Sequence, residues 1–274
     1  MFQITLSNGI IVNQLIHMIS NISNRIRYFT FETITKSDIV HAVFGRSGGV
    51  SPHPYASLNV STSTGDTKSN VNSNISHACN ALNISQETLI TVHQVHAART
   101  ITVDSKYTHR LSNADGLITQ AKDISLFMKF ADCVPLMIYD PHTHTIGLGH
   151  AGWKGTLAGV ASSVIEAMQV QFGCKPHNLL AAIGPCITAD YYVVGDDVAN
   201  LFLEAYAGID DIVSYRNDAI HLDLVKANIH SLTISGVQSI EKSGLCTVHN
   251  NADFYSHRVE GERTGRFGAL ISLK

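Results

Sequence analysis

Cys133 and His150 are the residues of this chain whose types and spacing most directly suggest chemistry. Segments 133–139 and 144–150 flank Asp140-Pro141-His142-Thr143. Pro141 suits the second position of a tight turn, so the two segments read as the arms of a β-hairpin. With Asp140 paired to Thr143, counting outward sets Cys133 directly opposite His150, with Cβ atoms about 4.5–5.5 Å apart on one face. A thiolate and an imidazole at that separation can share a Zn²⁺ ion, at bond lengths of about 2.3 and 2.0–2.1 Å. The same pair can instead act as nucleophile and base.

A catalytic zinc site usually has three protein ligands and one open position. The third comes from Val92-His93-Gln94-Val95-His96. On an extended strand His93 and His96 face opposite sides, so at most one shares a face with the pair, and spacing does not say which. His142 and His144 make a His-x-His that suggests copper, but they fall at the hairpin tip, away from Cys133, and read as solvated turn residues. Three groups suggest anion binding. Lys154 lies just before a predicted helix N-terminus. Arg46 and Ser47 sit in a loop with three glycines, where backbone can approach a ligand closely, and Ser256-His257-Arg258 with Arg266 is the third group. No G-x-x-x-x-G-K-[ST] or H-E-x-x-H occurs, which sets aside P-loop and zincin chemistry.

The elements that must position these residues follow from the pattern of the chain. Apolar Val71, Ile75, Ala78 and Leu82 recur at helical spacing over 69–82, a helix that covers a sheet. Runs at 25–34, 41–44, 88–95, 99–103, 114–119, 124–130, 133–139, 144–150, 179–183 and 269–273 read as strands. An Asn-Gly turn is expected at 8–9. Thr156 is placed to cap a helix with the stripe Leu157, Val160, Ala161, Val164 and Met168, ended by Gly173, and 196–206 and 222–235 also read as helical. This mixed order predicts a single α/β domain over 1–274, with layered sheets and outer helices. At 45% hydrophobic and 15% charged residues, the 274-residue chain can bury a sizeable core. A formal net charge of −3 with no long basic run argues against nucleic acid as a partner. No secretory signal pattern is evident and no apolar run approaches the roughly 18 residues of a membrane span, so a cytoplasmic location is expected and membrane association is not. Five widely spread cysteines without a Cys-x-x-Cys pair do not make a disulfide framework.

Several ordered blocks resemble the YfiH-like family, also called the laccase-domain or polyphenol oxidase family. They include 45–51 (Gly-Arg-Ser-Gly-Gly-Val-Ser), 54–59 (Pro-Tyr-Ala-Ser-Leu-Asn), Gln94-Val95-His96, Ala114-Asp115-Gly116 and Ala131-Asp132-Cys133. Further along come 150–155 (His-Ala-Gly-Trp-Lys-Gly), Gly184-Pro185-Cys186, Cys246-Thr247, Ser256-His257-Arg258 and Thr264-Gly265-Arg266. The resemblance implies an α/β/β/α sandwich of mixed sheets with outer helices, similar in architecture to the catalytic domain of cytotoxic necrotizing factor. It implies metal ligation by His96, Cys133 and His150, and so selects His96 over His93. The implied activity is zinc-dependent phosphorolysis of adenosine, inosine and methylthioadenosine, with deamination of adenosine, so the implied partners are a purine nucleoside and phosphate. Zinc would activate a bound water for attack at C6 of adenine, with Asp132 and His257 as candidate proton carriers. Phosphate attacking the ribose C1′ would be positioned among Arg46, Ser47, Asn59, Lys154, Arg258 and Arg266. The chain departs from the common pattern at Lys154, where arginine is usual, at Val193 in place of glutamate, and at Val259 in place of a second arginine. These departures bear on substrate preference and leave the metal triad intact. Three other readings stand beside this one: a copper-dependent polyphenol oxidoreductase, a metal-free Cys133/His150 thiol hydrolase, and a factor in peptidoglycan editing.

Overall fold

Strands Val134–Asp140 and Thr145–Ala151 are buried at every position, as strands covered on both faces must be. They form the centre of a six-stranded sheet in the order Ser239–Lys242, Leu180–Ile183, Val134–Asp140, Thr145–Ala151, Gly116–Thr119, Thr100–Thr102. A second six-stranded sheet runs Ile19–Ser23, Ile26–Thr30, Ile39–Phe44, Phe267–Leu273, Ser125–Phe130, Leu89–Ile90. This computed structural model describes residues 2–5, 11–14, 18–35, 38–104 and 112–274.

The two sheets pack face to face. Leu117, Met137, Ile146 and Leu148 from the first meet Leu126, Met128, Ala269 and Ile271 from the second in one apolar core. The outer face of the first sheet presents Ile118, Leu136 and Ile138 to Val160, Val164 and Met168 of helix Val160–Phe172. That of the second presents Ala42, Phe44, Phe127 and Leu270 to helix Lys68–Ala81. The layers are therefore helix, sheet, sheet, helix, the mixed α/β architecture that the resemblance implies. No helix among the described residues is long and apolar enough to cross a membrane.

Three sequence-based expectations change. The hairpin pairs Asp140 with Thr145, so Pro135, not Cys133, opposes His150. The cause is the Asp140 side chain, whose Oδ1 accepts the N–H of His142 at 2.8 Å and folds the tip into a four-residue loop. Cys133 lies just beyond its strand, on the same face as His150 and diagonal to it, so the two still converge. Secondly, Thr156 does not cap the long helix. Its hydroxyl accepts from Asn228 Nδ2 at 3.0 Å, inside a short helix Trp153–Leu157. The chain then turns at Gly159, in left-handed backbone at φ +83°, before Val160–Phe172 begins. That helix does end at Gly173, as predicted. Thirdly, the expected strand 88–95 shrinks to Leu89–Ile90, because the following residues leave the sheet for a loop held by Asp115. The Asn-Gly turn at 8–9 lies outside the described residues.

His41, buried in strand Ile39–Phe44, accepts the Phe31 N–H at Nε2 (2.7 Å). Burial pushes its pKa down to about 4, and the accepted N–H requires the neutral ring. Between the unfolded value near 6.5 and this one, the unfolded chain binds a proton that the folded chain does not. Stability should therefore fall as pH drops through that window, by about 3 kcal/mol. Urea denaturation at pH 7 and pH 4 checks this: His41→Gln, which can still accept from Phe31, should lose correspondingly less stability than the parent.

Candidate metal centre

Asp115 is fully buried at the start of strand Gly116–Thr119. Its Oδ2 accepts the N–H groups of Val95 (3.1 Å) and Ala97 (2.8 Å), and its Oδ1 accepts that of His96 (3.0 Å). Oδ1 also lies 2.7 Å from His150 Nδ1, while the Asp115 carbonyl accepts the His150 N–H at 2.8 Å. Burial pushes this carboxyl's pKa up, but the His150 bond and the loop N–H groups outweigh it and hold the pKa low. A carboxylate that accepts several hydrogen bonds in a dry site stays ionised. Its charge turns the 95–97 loop inward, with His96 in left-handed backbone at φ +60°.

Cys133 is aimed by its neighbour. Asp132, at φ +81°, accepts from Thr247 Oγ1 (2.6 Å) and from the Arg258 N–H (2.7 Å), and its carbonyl accepts the Ile187 N–H (2.9 Å). In the observed register the residue across from Cys133 is Gly152. A Cβ there would come within 2.9 Å of both Cys133 Sγ and His96 Cδ2, so the triad needs glycine at this point.

The ligand-capable atoms of His96, Cys133 and His150 all lie within 4.8 Å of one another. His150 is buried, Cys133 half-buried and His96 exposed, which leaves the open side towards solvent. With Nδ1 committed to Asp115, His150 offers Nε2, the arrangement in which a carboxylate orients a metal-binding imidazole. Two imidazoles, one thiolate and an open side suit zinc and also suit copper. Burial pushes the Cys133 thiol up, but the charge of His150 and hydrogen bonds from His150 and His96 bring it down to about 6. Burial in turn opposes charging of His150, and the Cys133 thiolate and Asp115 overcome it, raising its pKa. The thiol is thus ready as a thiolate at neutral pH.

The triad opens into a cleft of about 600 Å³. Of the residues singled out in the sequence, Asp132, Lys154, His257, Arg258 and Arg266 line it with the triad, and His93 lines it outside the triad. Arg46, Ser47 and Asn59 do not. The Arg46 guanidinium is engaged by Glu260 (2.8 Å) and the Asn251 carbonyl (2.9 Å) and stacks 4.4 Å over Tyr255. Ser47 is exposed elsewhere, and buried Asn59 braces its own loop. His144 pairs with Asp38 at 2.9 Å at the hairpin tip. The sequence reading missed the roles of Asp115 and Gly152 and the cleft walls Trp153, Ile187, Tyr192 and Leu224. A single aspartate leading into the apolar strand Gly116–Thr119 was the available signal for the first.

Residues 40–274 match the family described as multi-copper polyphenol oxidoreductase laccase. The chain belongs to this family. A purine nucleoside phosphorylase of Deinococcus radiodurans is 36% identical to it over 235 residues, covering 86% of this chain and 89% of that protein. Adenosine deaminase RL5, from an unknown prokaryotic organism, is 32% identical over 198 residues, 68% of this chain and 75% of that one. The solved structure of YlmD from Geobacillus stearothermophilus superposes with a TM-score of 0.84 at 29% identity, covering 90% of this chain and 96% of that one. The laccase family's description names several copper ions. Among the described residues, His96, Cys133 and His150 are the only cluster of this kind.

Two substitutions test the construction of the centre. Asp115→Asn should weaken zinc binding about 10–100-fold, measured by competition with a chromophoric chelator. Gly152→Ala should reduce metal uptake comparably while leaving the far-UV circular dichroism unchanged, since the atoms nearest the added methyl belong to the triad.

Proposed function

We propose that the cleft transforms purine nucleosides, with zinc held by His96, Cys133 and His150. It would split adenosine, inosine or methylthioadenosine with phosphate to base and the ribose 1-phosphate, and deaminate adenosine. The span 1–274 would act as one catalytic domain in the cytoplasm. The observation that carries this reading is the lining of the cleft around the triad: Trp153, Ile187, Tyr192 and Leu224 offer aromatic and apolar surface, and Lys154, Arg258 and Arg266 offer positive charge. A purine ring needs the first and phosphate the second. The names of the relatives point the same way.

Bound zinc would supply a Lewis acid and lower the pKa of a coordinated water. The chain supplies the rest. Asp115 fixes His150 by its Nδ1. Both Asp132 oxygens are already accepting, so Asp132 acts as a positioning residue that anchors the short helix His257–Glu260. His257, exposed on that helix and lining the cleft, is the group free to carry a proton to or from the purine. Arg258 lies 5.2 Å over Tyr192 and Lys154 5.3 Å over Trp153. Each cation is thereby held beside the aromatic surface that would hold the base.

Chromatography of adenosine incubated with zinc-loaded protein tests the reading. Adenine formed only with phosphate establishes phosphorolysis, inosine establishes deamination, and neither product defeats the proposal. Full turnover after chelation would favour a thiol hydrolase, and oxidation of phenols with several copper ions bound would favour the copper enzyme. Tyr192→Ala should raise KM for adenosine roughly ten-fold, the magnitude of one lost base–aromatic stack, with metal content at the parent level.

A further inference from the structure

We propose that Lys129, Arg266, Ser61 and Ser63 form a seat for a phosphate-type oxyanion, taken by inorganic phosphate as co-substrate. This rests on the nucleoside reading of the cleft. All four residues line that cleft. Strand Ser125–Phe130 pairs with Phe267–Leu273 so that Lys129 faces Gly268 and Phe127 faces Leu270. Leu126, Met128, Ala269 and Ile271 fill the space between the sheets, whereas Phe127 and Leu270 pack on the outer side. By alternation Lys129 belongs to the outer side. Arg266 stands two residues before Gly268, just ahead of the paired strand, and lines the same cleft as Lys129.

Two partly buried cations lining one cleft repel each other. Among the described residues neither forms an ion pair. Arg266 spends Nη1 on the carbonyls of Thr264 and Gly265, each at 2.9 Å. Burial presses on the Arg266 charge, and the Cys133 thiolate and Asp132 support it through space; both Asp132 oxygens already accept, from the Thr247 hydroxyl and the Arg258 N–H. Burial holds the Lys129 ammonium below its ordinary pKa. Cations kept out of water in this way call for an anion.

The surroundings are built to hold a tetrahedral one. Asn59 Oδ1 accepts from both Arg266 N–H (2.9 Å) and Ser61 N–H (3.1 Å), and its Nδ2 donates to the Ser61 carbonyl (3.0 Å). One buried amide thus sets the serine turn and the arginine in a common frame. The Ser61 and Ser63 hydroxyls are hydrogen-bonded to each other at 2.8 Å, which leaves one O–H of the pair free to donate, and both serines line the cleft with the two cations. Gln94 grips the Lys129 backbone on both sides, donating to its carbonyl (2.8 Å) and accepting from its N–H (3.0 Å). Two residues on from Gln94 stands His96, so the seat and the metal triad share one loop.

Titration calorimetry and thermal melting of the zinc-loaded chain, with inorganic phosphate and separately with adenosine 5′-monophosphate, test the seat. Phosphate should raise the melting temperature of the parent, as any ligand selective for the folded state does. Lys129→Met should melt higher than the parent in phosphate-free buffer and bind phosphate at least about ten-fold more weakly, the loss of one charge-assisted bond. Lys129→Arg should retain binding. Ser63→Ala, on an exposed turn where folding is not at stake, should weaken binding several-fold. Unchanged phosphate affinity in Lys129→Met overturns the proposal, as does Lys129-dependent binding of the nucleotide without binding of inorganic phosphate. If the parent binds phosphate through Lys129 yet performs no phosphorolysis, the phosphorolytic part of the nucleoside reading fails and the co-substrate role with it, while the seat stands as an anion site. Phosphorolysis with an unchanged phosphate KM in Lys129→Met sinks the seat alone.

Discussion

The buried Asp115 carboxylate is the interaction on which the site depends. It accepts three consecutive backbone N–H groups at 95–97 and meets the ring of His150. A charge with no access to water is tolerated only when its lone pairs are satisfied, and here the groups that satisfy it belong to the loop and strand that carry His96 and His150, two members of the candidate triad. Folding of the sheet and placement of these two imidazoles are therefore one event. Removing the charge would release the loop as well as the imidazole.

The double-sheet packing sets the second constraint. Both central strands are covered on both faces, so polar chemistry can be placed only where the strands end. Cys133 precedes one strand and His150 stands near the end of its partner. Around them the chain takes left-handed backbone at His96 and Asp132, conformations that non-glycine residues hold only when their surroundings compel it. Asp115 compels the first. The hydrogen bonds of Asp132 with Thr247, Arg258 and Ile187 compel the second.

Much of this was legible in the chain. Strands with unbroken apolar runs, such as 134–139, declare their burial, and Gly173 marks the end of a helix whose stripe is complete. The convergence of Cys133 and His150 survived a register error because a shift of two residues keeps a side chain on its face. The error itself came from Asp140, whose side chain competes for the backbone at the tip, a choice that turn propensity alone does not decide. The helix start was misread at Thr156 because a distant partner, Asn228, claims the hydroxyl. Arg46 looked like an anion ligand from its glycine-rich loop, yet Glu260, more than two hundred residues away, neutralises it. Such long-range partners leave no local mark.

The loop 94–97 has no regular secondary structure, yet its polar groups are bound within the chain. The Gln94 amide binds the Lys129 backbone as a neighbouring strand would, and the next three N–H groups end on one carboxylate. Fixing each residue of a loop costs about 1–2 kcal/mol of conformational entropy. In this protein that cost is met during folding, by contacts internal to the chain. An ion held between His96, Cys133 and His150 would meet a loop already braced by these contacts, and less of its binding energy would go into ordering the protein.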